Sequence, residues 1–269
     1  RDSHLHRFRT RRTSGVGAVR LDRMLGAGGP AREEANVLVV AAGILDGRLP
    51  HADVEYLYAP GTVWAVAGAF WTFGTSVVVE RLVGLAYRLA LLWGIHRLCR
   101  HWGPGTATCA ALASWAVIAP FGLVAYPWIT GLGLLVAGTA LVLEGDDGRR
   151  ASIGAGLCGL AAFHQLVLVP AVLVVVLPAF LAAARHRRAR LGTGLMAGLS
   201  PFLLHLVLVG PRSMVEGMVV DPMFRLRAGR RLPLPPDPSD SGDFFARLDD
   251  LLRGPDRKST RLNSSHSEI

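Results

Sequence analysis

Charge is scarce in this sequence where a soluble surface would need it. Only 18% of the 269 residues are Asp, Glu, Lys or Arg, against about a quarter in an ordinary soluble domain. Between Trp102 and Leu143 there is none, and between Ala151 and Ala184 the only ionisable side chains are Cys158 and His164. Such stretches speak against water as their surroundings. Cysteine is scarce too. Cys99, Cys109 and Cys158 stand singly, with no CxxC spacing and no cysteine–histidine pairing, so neither a metal site nor a disulfide framework is implied. No apolar core of a secretory signal follows the arginines at the start of the chain. Nucleic acid is not an expected partner either. The net charge of +9 comes from arginines gathered near the start and in short loops between apolar runs, where a membrane protein keeps them.

What the sequence does have is long apolar runs broken by proline. A bilayer core needs roughly 20 apolar residues of helix. The predicted spans run over residues 76–96, 106–125, 128–143, 152–167, 168–184 and 191–209. Val37 to Leu45 and Thr62 to Phe73 are too short to cross and read as interfacial helices, with Trp64 and Trp71 as anchors. The expected fold class is therefore all-α, a polytopic transmembrane helical bundle of about six spans plus external juxtamembrane helices. If the spans alternate, Arg97 and Arg100, Arg149 and Arg150, and the Arg185 to Arg190 group share one side. The positive-inside rule makes that side the cytoplasm. Residues 31–75 and 210–255 are then expected as external loops flanking the membrane region 76–209.

Both ends read differently from the middle. Position 1 is not methionine, and a fragment of a longer protein is expected. Residues 1–30 carry seven arginines without periodicity, as a disordered basic segment or an out-of-frame translation would. Asp256 to His266 reads DRKSTRLNSSH, the translation of a common sequencing-adapter oligonucleotide, so residues 256–269 are set apart as an artefact.

Acidic and aromatic groups concentrate in the first external block: REEAN at 32–36, DGRLPHADVEYLYAPG at 46–61, AFWTFG at 69–74 and SVVVERL at 76–82. In this order they resemble the C-type glycosyltransferases, polytopic enzymes that use lipid-phosphate-linked sugars and include protein O-mannosyltransferases and aminoarabinose transferases. The resemblance covers about residues 32–98. It implies an Asp-Glu pair near the start of the first external loop, its aspartate the general base on the acceptor hydroxyl. Here Glu33 and Glu34 stand at those positions, with glutamate in place of the aspartate. The transmembrane helix that precedes the pair in that family has no counterpart in residues 1–30.

Chemistry gives the resemblance a mechanism to test. Transfer from a polyprenyl-phosphate sugar needs a carboxylate to take the acceptor proton and cations to stabilise the departing phosphate. Glu33, Glu34 and Asp53 are the candidate catalytic carboxylates. Tyr56, Tyr58, Arg81, Arg88, Arg225 and Arg227 are the candidate substrate-binding residues. The plain alternatives are helix-start acids, a turn aspartate, interfacial tyrosines and an Arg81 paired with Glu80. The expectation is an inverting glycosyltransferase of the cell membrane, its active face external, with a glycan, lipid or protein acceptor. No cofactor is called for, and a divalent metal stays open. The competing readings are a transporter, with Arg88, His164 and His205 lining a path at mid-membrane, and a non-catalytic scaffold. An enzyme would gather its acids and arginines at one external cavity.

Overall fold

The computed structural model describes residues 31–144 and 148–225. The chain divides into two compact units, Arg1–Pro222 and Met223–Ile269. The fold below is that of the first. In the second, the described residues are 223–225, the last turn of a π-helix. Among the described residues the structure is all-α. The helices are α1 Ala31–Leu45, α2 Gly61–Phe73, α3 Val77–Cys99, α4 Pro104–Ile118, α5 Pro127–Leu143, α6 Gly148–His164, α7 Val169–Ala182, α8 Arg185–Val209 and the short α9 Pro211–Val215. Short 3-10 turns follow α3, α4 and α6, and a π-helix, Glu216–Arg225, follows α9.

Local chemistry sets the ends. Pro104, Pro127 and Pro211 open their helices, where a missing N–H costs nothing. The Ser76 side chain caps α3 by accepting the Val78 N–H at 3.1 Å. Gly74 and Gly210, both with positive φ, close α2 and α8. Pro201 lies inside α8 and removes the N–H that the Ala197 carbonyl would accept. The Ser200 hydroxyl donates to that carbonyl instead, at 2.8 Å.

Among the described residues two helices are long and apolar enough to cross a membrane, α4 with its 3-10 extension to Phe121, and α8. The helix α3 is long but carries Glu80, Arg81, Arg88 and Arg97. Apolar side chains face outward as well as inward, and several charged or polar ones are buried. Val117, Val174 and Val207 are 70% or more exposed, while Glu80, Arg81, Arg88, His164 and His205 are buried. The helix crossings use small residues. A Cβ on Gly198 of α8 would lie 1.9 Å from the Gly156 carbonyl oxygen of α6, and one on Gly194 2.0 Å from that of Ser152. Small residues at this four-residue spacing on both helices let the backbones touch, as membrane helices do.

The described contacts sort the helix ends into two groups. At one end Arg97 of α3 pairs with Glu144 after α5, Arg187 of α8 donates to the Val142 carbonyl at 3.1 Å, and Arg190 packs beside Gly148. At the other lie the start of α3, the 122–126 loop, the end of α6 and the end of α8, with α1 and α2. One expectation is corrected here. Arg185 to Arg190 form the first turns of α8 rather than a loop, because Arg is a good helix former and Arg188 reaches back to the Phe180, Leu181 and Ala183 carbonyls that end α7.

Candidate active site

The site grows from the first turn of α1. Val37, Val40 and Ala41 follow one helical stripe into a core with Val63, Val66, Ala67 and Phe70 of α2 and the Tyr56 ring. Glu34 sits three residues before Val37 and is turned inward with it, 7% exposed, whereas Glu33 is exposed. Buried there, Glu34 meets Arg81 of α3 in a two-pronged pair: Nε donates to Oε1 at 2.7 Å and Nη2 to Oε2 at 3.0 Å. Two of the residues singled out in the sequence are thus brought together from 47 positions apart. The plain alternative, Arg81 paired with Glu80, gives way to this Glu34 pair, because neighbours on a helix point about 100° apart.

Glu80 looks the other way, to the 122–126 loop. Its Oε1 accepts the Ala125 N–H at 2.6 Å. This loop lies directly on α3: a Cβ on Gly84 would come 2.0 Å from the Leu123 carbonyl oxygen. One turn further, Arg88 is fully buried and its Nη1 donates to the Gly84 and Val124 carbonyls at 3.0 and 2.9 Å. Several polar atoms around this cluster have no protein partner among the described residues: Glu80 Oε2, Arg88 Nε and Nη2, and the Tyr56 and Tyr126 hydroxyls. Burial pushes the Tyr126 phenol up, and the charges of Glu33 and Glu34 push it further. The Tyr56 phenol is raised by burial, then by Tyr58 and Glu33. Both tyrosines therefore sense the Glu33 carboxylate.

Asp53 has a different task. Its Oδ2 accepts the Leu49 N–H at 2.8 Å, closing a tight turn, and it makes no polar contact with an arginine among the described residues. The turn holds His51 at φ 67°, the one non-glycine residue with positive φ among those described. Such a residue costs about 1–3 kcal/mol and persists only when its surroundings fix it. They do so through a chain of hydrogen bonds. The Trp64 indole N–H donates to His205 Nδ1 at 3.2 Å, His205 Nε2 lies 3.3 Å from His51 Nδ1, and His51 Nε2 lies 3.1 Å from the Tyr58 carbonyl. An indole can only donate and a carbonyl can only accept. Both histidines are therefore neutral and N–H at Nε2, each passing its bond in the same direction. Burial pulls His51 below its ordinary value of 6.5, in keeping with that neutral form.

The remaining candidates fall as follows. Tyr56 is buried, with its ring edge-on to His51 and Tyr58 at 5.9 and 5.8 Å between centroids, and Tyr58 is half-buried. His164 donates from Nδ1 to the Leu160 carbonyl at 3.0 Å and accepts the Tyr87 hydroxyl at Nε2, 2.9 Å away. Arg225 closes the π-helix, and Arg227 lies outside the described residues. Sequence reasoning missed Glu80, Tyr126, His51 and Trp64 as members of the polar clusters. For Glu80 the signal was present: Glu80, Gly84 and Arg88 recur every four residues, one face of α3. A cavity of about 260 Å³ opens beside the His51 turn, lined by Asp53, Glu55, Ser213, Glu216 and Asp221.

Compared with family models, with curated proteins and with solved structures, the chain finds no match.

Proposed function

We propose that this chain is part of an integral-membrane glycosyltransferase that moves a sugar from a polyprenyl-phosphate donor to an acceptor hydroxyl, with inversion, at the external face of a six-span bundle. The observation that carries the reading is the convergence of Glu34 and Arg81, with Glu80 and Arg88 beside them, at the helix-end group opposite the arginine-rich one. By the positive-inside rule the arginine-rich end is cytoplasmic, which turns the acidic cluster outward. The resemblance of residues 32–98 to the C-type glycosyltransferases supports the same assignment.

In this reading Glu33, Glu34, Arg81 and Arg88 divide the work. Glu33, exposed beside the buried pair, takes the proton from the acceptor hydroxyl as the anomeric carbon becomes cationic. Glu34 and Arg81 hold the start of α1 on α3 and so fix where Glu33 stands. The cationic side of the cluster, Arg81 and Arg88, favours the phosphate as it departs. The transport reading has less to draw on, since both ring nitrogens of His164 and of His205 are occupied by protein partners.

The test uses membranes carrying the chain and a radiolabelled polyprenyl-phosphate sugar. Label should leave the lipid fraction for an acceptor, and Glu33→Gln should slow this by about 100- to 10,000-fold, the usual worth of a general base. Asp53→Asn should leave the rate largely intact, as an amide oxygen still caps the turn. Transfer indifferent to Glu33→Gln would sink the assignment.

A further inference from the structure

A second site lies at the arginine-rich end of the bundle. Between α7 and α8 runs a groove of about 520 Å³ whose walls include Phe180, Ala189, Gly192 and Met196, with Arg185 and Arg188 at its mouth. We infer that the groove holds one anionic phospholipid of the bilayer, its phosphate against the two arginines and an acyl chain along Gly192 and Met196. The inference rests on α8 lying in a membrane and not on glycosyl transfer.

Charge is the first argument. The first turn of α8 carries Arg185, Arg187 and Arg188 and no acid, although the start of a helix is its positive end. Arg185 is exposed and has no partner among the described residues. Arg188 spends Nε and Nη2 on the α7 carbonyls, which fixes its guanidinium 5.5 Å from the Phe180 ring centroid and leaves Nη1 to a ligand. Arg185 and Arg188, neither paired with a carboxylate among the described residues, thus offer an anion two cations at a helix start. Shape is the second argument. Ala189, Thr193 and Met196 are exposed on the same face, and a Cβ on Gly192 would meet only the Phe180 ring, at 3.7 Å. The floor is thus open and largely apolar for about two turns below the arginines. A lipid has both parts in that order, a phosphate at the interface and a chain below it.

The measurement is native mass spectrometry of the full chain released from detergent, titrated with phosphatidylglycerol or phosphatidylcholine of identical chains. Phosphatidylglycerol should bind more tightly by on the order of tenfold. Arg185→Gln should bring the two close to parity. Gly192→Leu fills the groove from an ordinary contact distance, so helicity by circular dichroism should persist while both lipids are lost. Equal retention of the two lipids by the wild type would overturn the inference. So would phosphatidylglycerol binding that ignores both substitutions, or its displacement by inorganic phosphate.

Discussion

Glu34 shows what a buried charge asks of its surroundings. Its carboxylate and the Arg81 guanidinium have left water together, and removing either leaves the other charge uncompensated. Such a loss costs about 3–5 kcal/mol, whereas replacing both partners with apolar groups is often close to neutral. Thermal or denaturant unfolding of Glu34→Leu, Arg81→Met and the double variant Glu34→Leu/Arg81→Met should show this pattern. A double variant as unstable as the sum of the singles would contradict a coupled pair. His51 supplies a second test at this scale. Its folded value lies below 6.5, so its contribution is complete above about pH 6.5 and is lost as the pH falls toward the folded value, because only the unfolded chain takes up the proton. His51→Asn keeps a residue that tolerates positive φ and removes the titration. Its melting temperature should therefore vary less between pH 7 and pH 5 than that of the wild type.

Between helices the decisive feature is close approach. The α6–α8 crossing puts Gly198 on the Gly156 carbonyl, so a larger residue must move backbone rather than a side chain. Gly198→Leu should destabilise by about 1–3 kcal/mol or more, read as a lower melting temperature in detergent, while Gly105→Ala, at an exposed position with nothing within 4 Å, should have little effect. The ends of α3 and α5 are joined by Arg97 and Glu144. The Arg97 hydrogen bond holds the Glu144 carboxyl below its ordinary 4.5, so this contribution is present above about pH 4.5 and disappears as the pH falls below it. Glu144→Gln should flatten the acid limb of the stability profile. Most of these elements were legible in advance. Proline at helix starts and glycine at helix ends mark boundaries on any sequence, and the apolar runs between them became helices, most within four residues of their expected limits; α1 begins six residues before Val37, and α4 ends at Ile118, seven short of residue 125. The start of α8 was not legible, because arginines suit a helix and a loop alike, and only contact with the α7 carbonyls decides.

On the scale of the first unit, the charged residues of α1, α3, α6 and α8 that are described divide between two ends. The acids and arginines near α1, α3 and the 122–126 loop face one way, and the arginines of the α3, α6 and α8 termini face the other. Which residues meet at the polar end was only half legible. Glu34 and Arg81 were marked by residue type, but their pairing depends on α1 folding back on α3 across the 46–60 loop. No local periodicity records that. Asp53 shows the converse, an acid that drew attention by type and that the fold uses to close a turn. The histidine chain was invisible for the same reason, since His51 and His205 stand 154 positions apart.

The reading as an external glycosyltransferase requires these two ends to lie on opposite sides of the membrane, which can be measured without knowing the substrate. With Cys99, Cys109 and Cys158 replaced by alanine, single cysteines at Ala52, in the turn beside His51, and at Gly105, at the start of α4, would be exposed to a membrane-impermeant maleimide on intact cells. Labelling at position 52 and protection at position 105 until the cells are opened is the predicted result. Labelling of both positions, or of position 105 alone, would contradict the orientation on which the proposed site depends.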